Sequence, residues 1–163
     1  MTYQDVFVRL GAAVATGAVI GLDRELRRKP AGLRTMALVG LGSAVFIMAT
    51  IDPARGAYTD GTSRVIQGIV TGIGFLGAGA ILRGSGEETV RGLTTAASIW
   101  LAAANGIACG LANWPLVVGS CSLGLLVLVT SPVERVFHNR RKTDSVWWPV
   151  SADQERLRRP WGR

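Results

Sequence analysis

Three groups of residues in this 163-residue chain have the types and spacing to do chemistry. The first is Gly72-Ile73-Gly74-Phe75-Leu76-Gly77, which spells the glycine pattern of a dinucleotide-binding turn. Such a turn joins a strand to a helix and needs an acidic residue about 20 positions further on. Here the pattern sits inside an apolar run, and the next acids, Glu87 and Glu88, come too early. Nucleotide binding is therefore not expected. These glycines suit the close approach of another backbone, or a broken helix of the kind some transporters use. The second group is Asp23 and Glu25, at the end of an apolar run and surrounded by arginines. Ion pairing is the expected state there, with a bound cation as the alternative. The third group is Gln67, Thr71, Thr95 and Asn105, polar residues within apolar runs. An unpaired amide in hydrocarbon is costly, so Gln67 and Asn105 are expected to face protein. They either hydrogen-bond between helices or line a path for a solute or ion.

Hydrolytic machinery is missing from the sequence. The single histidine, His138, lies in a basic tail. There is no HExxH, no GxSxG, no cysteine near a histidine and no clustered acids for a metal cage. The expectation is a non-enzyme with no cofactor, and metal binding is left open.

The elements that hold these residues are five apolar stretches, at about 6–22, 33–51, 65–82, 93–111 and 115–131. A spanning helix needs about 20 mostly apolar residues, and a soluble domain of this size cannot bury five such runs. The fold class expected is all-α: a polytopic membrane helix bundle with about five transmembrane helices in residues 1–132, followed by a basic cytoplasmic tail, 133–163. The mean hydropathy of +0.31 is held down by that tail. Most of the 21 glycines fall inside the apolar runs, which points to helix packing rather than linkers. Gly17 and Gly21 form a GxxxG pair, and Gly68, Gly72, Gly74, Gly77 and Gly79 crowd the third run, which is expected to pack at the centre. The lipid bilayer is one partner, and small-residue faces suggest a homo-oligomer.

The net charge of +7 does not indicate nucleic acid, because the charges collect at helix ends. Arg24, Arg27, Arg28, Lys29 and Arg34 follow the first run, Arg83 and Arg91 follow the third, and eight basic residues fill the tail. The positive-inside rule then places the N-terminus outside and the C-terminus in the cytoplasm. Arg9 lies four residues after Asp5, on the same helix face. It either snorkels outward or pairs with Asp5. Asp23 with Arg27 and Glu25 with Lys29 are acid-first i,i+4 pairs. Ser85 and Glu88 match a capping box, so a short helix or re-entrant turn is expected there. Cys109 and Cys121 read as small apolar fillers, with no disulfide. The N-terminus lacks the basic region of a cleavable signal peptide. The tail, with Trp147, Trp148 and Trp161, either lies on an anionic leaflet or is disordered.

Three blocks resemble a known family. Gly21-Leu22-Asp23-Arg24-Glu25, with Lys29 and Ala31-Gly32-Leu33-Arg34-Thr35, is similar to the first signature of the MgtC/SapB family of bacterial membrane proteins. Gly72 to Gly79 resembles the second, and Val90-Arg91-Gly92-Leu93-Thr94-Thr95-Ala96-Ala97, with Trp100 and Gly106, the third. The resemblance implies a multi-pass protein of the bacterial inner membrane. Some members are tied to adaptation to low magnesium and to survival in host cells. Their implied role is regulatory, through other membrane proteins that include the proton-driven ATP synthase. Direct magnesium transport is the alternative. The carried-over residues suggest a functional polar cluster of Asp23, Arg24, Glu25, Arg34, Thr35, Arg91, Thr94 and Thr95, in which Asp23 and Glu25 pair with Arg34 or Arg91. Two departures limit the inheritance. Longer members have a C-terminal domain of the ACT type, where this chain has only a short polar tail. Some virulence-associated members have a cysteine where this chain has Leu101.

Overall fold

A computed structural model describes residues 1–52, 58–83 and 90–130. Five helices account for most of them: α1 (Tyr3–Leu26), α2 (Leu33–Met48), α3 (Gly61–Gly79), α4 (Leu93–Gly110) and α5 (Trp114–Val129). A two-residue antiparallel pair, β1 (Leu82–Arg83) with β2 (Val90–Arg91), ties the start of the α3–α4 connection to its end. The capping box expected at Ser85 and Glu88, and the tail with His138 and its tryptophans, lie outside the described residues.

The apolar runs become helices, but with different ends. α1 begins at Tyr3 and continues to Leu26, past both ends of the apolar run. Of the added residues, Glu25 is exposed and Asp5 partly so, where charge can reach water, whereas Arg24 is buried. At 24 residues, α1 is about 36 Å long, enough to cross a hydrocarbon core of ~30 Å. Among the described residues, α1 and α4 are the two helices long and apolar enough to cross a membrane, whereas α2 and α5 are shorter apolar helices. α5 is started by Asn113, whose side-chain oxygen accepts the Leu116 amide at 3.3 Å. This satisfies one of the orphan donors of the first turn.

α4 is the central helix and touches all four others. Its neighbours come close because glycines face backbone. A Cβ on Gly106 would strike the Gly40 carbonyl oxygen and lie 2.9 Å from the Gly40 Cα. Gly110 sits against Ala44 and Ile47 of α2. Across the α1–α2 crossing, Gly17 faces Met36 and Ala37, and Gly21 faces Leu33. α1 therefore runs antiparallel to α2 and α4.

α3 is not at the centre, contrary to the sequence expectation. It packs mainly on α4, through a stripe of Ile69, Ile73, Gly77 and Ala80. Gly77 meets Ala96 and Trp100, but Gly68, Gly72, Gly74 and Gly79 have nothing within 4 Å of an added Cβ. Those four glycines pack against no helix among the described residues, because they point away from α4, the main neighbour of α3. Gly92 joins β2 to α4 with φ +98°, and a Cβ there would collide with the Ala80 carbonyl. Only glycine takes that conformation without strain.

Candidate functional site

α1 carries one face of i, i+4 spacing from end to end: Arg9, Ala13, Gly17, Ile20/Gly21 and Arg24. Ala13, Gly17, Ile20, Gly21 and Arg24 are buried. The two arginines bracket this face, and each reaches one end of α4. At one end, Arg9 donates to the Gly110 carbonyl at 2.9 Å and pairs with Asp5 at 2.9 and 3.0 Å. Of the two expectations for Arg9, the pairing with Asp5 forms, and the Gly110 carbonyl takes a further guanidinium N–H. At the other end, Arg24 donates to the Thr95 hydroxyl at 2.6 Å. The residue is only 3% exposed, and its Nε has no partner among the described residues. Arg9 and Arg24 are 15 residues apart, and so are Gly110 and Thr95. The shared helical rise of ~1.5 Å per residue is what lets both contacts form at once.

The rest of the expected polar cluster gathers less tightly. Asp23 pairs with Arg27 at 2.8 Å, and its second oxygen is buried without a hydrogen-bond partner among the described residues. Glu25 turns back to accept the Leu33 amide at 3.0 Å, closing the α1–α2 turn. Arg34 and Thr35 are exposed on the first turn of α2, and Thr94 is exposed beside the buried Thr95. Neither acid meets Arg34, since local partners are nearer for both. The Arg91 side chain lies outside the described part of the chain. The Arg24–Thr95 contact was not anticipated as a pair. Its signal was present in the spacing, because Arg24 continues the small-residue stripe of Gly17 and Gly21.

The intramembrane polar set separates. Asn105 is fully buried; it donates to the Leu101 carbonyl at 3.0 Å and accepts from Ser120 of α5 at 3.0 Å. Gln67 is exposed rather than turned to protein. The stripe that seats α3 begins two positions later, at Ile69, which puts Gln67 on another side of the helix. Thr71 is exposed too, and donates to the Gln67 backbone carbonyl at 2.9 Å. Gln67, Thr71, Thr95 and Asn105 therefore do not converge. Cys109 and Cys121 are free thiols. Among the described residues, no three His, Cys, Asp or Glu side chains form a group that could hold a metal ion.

The distribution of side chains is inverted relative to a water-soluble bundle. The interior is rich in small and polar residues, Ala13, Ala44, Ala102, Ala103, Ala108, Ser43, Ser98, Thr95 and Asn105, set among a few larger ones such as Ile20, Met36 and Ile47. The exterior carries Phe7, Phe46, Phe75 and Leu123, the last two 82% and 65% exposed. Small and polar residues inside with large apolar ones outside define a membrane protein. More narrowly, the chain belongs to the MgtC family, whose family model matches residues 10–137. It is 45% identical over 130 residues to SrpB of Synechococcus elongatus, covering 74% of this chain and 71% of that protein. It is 38% identical over 151 residues to MgtC of Salmonella paratyphi A, covering 91% of this chain and 59% of that protein. A third relative, named "Putative magnesium transporter YhiD" in Escherichia coli, is 38% identical over 152 residues, covering 85% of this chain and 62% of that protein. The chain thus spans about three fifths of the length of these last two relatives. No solved structure matches it.

Proposed function

We propose that this protein is a non-enzymatic regulator of other proteins in the bacterial inner membrane, acting in adaptation to magnesium limitation or altered membrane energetics. It crosses the membrane several times, with its N-terminus outside and its basic tail in the cytoplasm. The observation that carries this reading is the dispersal of the intramembrane polar groups. Asn105 is closed onto Leu101 and Ser120, Thr95 is held by Arg24, and Gln67 and Thr71 face outward from α3. A solute path needs polar groups that face one another across a lumen. An outward face with an amide, a hydroxyl and unoccupied glycines instead suits contact with another helix in the membrane. A second copy of this chain is one occupant of that face. A partner such as the ATP synthase, implied by the family resemblance, is another.

An ion or small-solute transporter is the second reading, favoured by the name of the Escherichia coli relative. Reconstitution decides between them. Proteoliposomes containing this protein alone are expected to show no magnesium or proton flux, while co-reconstitution with ATP synthase is expected to change its proton pumping. Flux from the protein alone, lost in a folded Asn105→Leu variant, would overturn the regulatory reading.

A further inference from the structure

The two ends of α4 are treated differently by α1. The C-terminal end carries the negative pole of the helix dipole, and there the cation Arg9 meets the Gly110 carbonyl and also has Asp5 beside it. The N-terminal end carries the positive pole, and there α1 places a second cation, Arg24. The sign is wrong for stability. α4 has 18 residues and its N-cap, Gly92, offers no side chain to its first-turn amides. Arg24 is 97% removed from solvent, donates through Nη2 to the Thr95 hydroxyl, and leaves Nε without a partner among the described residues. The neighbouring carboxylate offsets part of this charge without supplying the missing acceptor: Asp23 is engaged by Arg27 through Oδ1, and its buried Oδ2 makes no hydrogen bond among the described residues.

We infer that the corner formed by Arg24, Thr95 and the first turn of α4 binds a phosphate-class oxyanion. The chemistry fits on three independent counts. First-turn amides at a helix N-terminus favour anions. A guanidinium presents a planar fork of donors that matches phosphate oxygens. A hydroxyl held beside it supplies a further donor once the anion takes over its contact with Arg24. The surroundings narrow the source. Leu26 and Leu93, at the same end of the bundle, are 77% and 60% exposed. This places the corner where apolar surface gives way to charge, the depth of lipid phosphates. A phospholipid headgroup and free inorganic phosphate share the chemistry, and the experiment separates them. The site is distinct from any partner-binding face on α3 and does not depend on the regulatory role.

The test uses the full chain purified in neutral detergent, with thermal unfolding followed as ligand is added. Probes are inorganic phosphate, sodium chloride at matched ionic strength, phosphatidylglycerol and phosphatidylcholine. The expected result is a saturable rise in melting temperature with phosphatidylglycerol or with inorganic phosphate, but not with chloride or phosphatidylcholine. A response to phosphatidylglycerol alone assigns a headgroup, and a response to inorganic phosphate assigns the free anion. Arg24→Gln should weaken the response at least tenfold, whereas Arg34→Gln, an exposed arginine at the same end, should leave it unchanged. Where Arg24→Gln fails to fold, Arg24→Lys keeps the charge but loses the fork, and its apparent affinity should still fall several-fold. The absence of a saturable response in the parent protein, or an undiminished response in the Arg24 variant that folds, overturns the assignment.

Discussion

Adding one methyl group at Gly106 and one at Gly72 should move stability in opposite directions. At Gly106 the new Cβ meets the Gly40 carbonyl oxygen and lies 2.9 Å from the Gly40 carbonyl carbon and Cα. Non-bonded carbons rest at about 3.5–4.0 Å, so α2 and α4 must separate by roughly 0.6–1 Å. Both obstacles are backbone, so no side chain can swing aside. Overpacking of a closed interior costs about 1–3 kcal/mol, and rigid neighbours put this site near the upper end. Alanine returns about 0.5–1 kcal/mol of helix propensity. The net expectation for Gly106→Ala is a loss of about 2 kcal/mol, or about 4–8 °C in Tm for a chain of this size. At Gly72 a Cβ meets nothing within 4 Å. Only propensity acts there, so Gly72→Ala should gain about 0.5–1 kcal/mol, or ~1–4 °C. Both variants would be unfolded thermally in dilute detergent, with circular dichroism at the helix band as readout. A Gly106→Ala protein as stable as its parent, or a Gly72→Ala protein that falls as far, would refute the argument that backbone contact sets the α2–α4 crossing.

Two further outcomes follow from the same geometry. Reversing the charge at Asp23 with Asp23→Lys should cost stability by up to about 1 kcal/mol, since a pair at this depth is only partly screened. Rescue should come from Arg27→Asp and not from Arg34→Asp, because Arg27 is the residue within 2.8 Å, and a double-mutant cycle in chemical denaturation reads the coupling. Truncating Asn105 to leucine should cost about 1 kcal/mol. Its coupling to Ser120→Ala should be about 0.6 kcal/mol, typical of hydrogen bonds between membrane helices; additive single variants would mean that Ser120 is satisfied by its own helix, where it donates to Leu116 at 2.6 Å.

The helices were legible because each apolar run exceeds what a small soluble core can use. Their ends were less so. Hydropathy stops at Leu22, but α1 continues to Leu26, since arginine and glutamate propagate a helix about as well as leucine does. Arg24 shows the same split. Its type marked it as polar and terminal, while its position on the Gly17–Gly21 stripe marked it as buried, and burial prevailed. Gln67 failed for a different reason. That an amide should face protein is sound only when protein lies on that side, and a single chain's sequence does not say which helix lies at the edge of the bundle and which has four neighbours. The glycine count misled in the same way. Gly17, Gly21, Gly40, Gly106 and Gly110 meet backbone, Gly11, Gly42 and most glycines of α3 do not, and composition cannot distinguish a filled contact from a vacant one.

The equal spacing of the two arginines along α1 and of their acceptors along α4 acts as a vernier. A slip of α1 by one residue would carry each guanidinium ~1.5 Å along the helix and turn it by ~100°, breaking both attachments together. Sliding between these helices is thus an all-or-none event, and the backbone contacts of α2 hold the trio from the other side. Any graded response of this protein to its surroundings has to be expressed in α3 and α5, the two helices that have no such ruler.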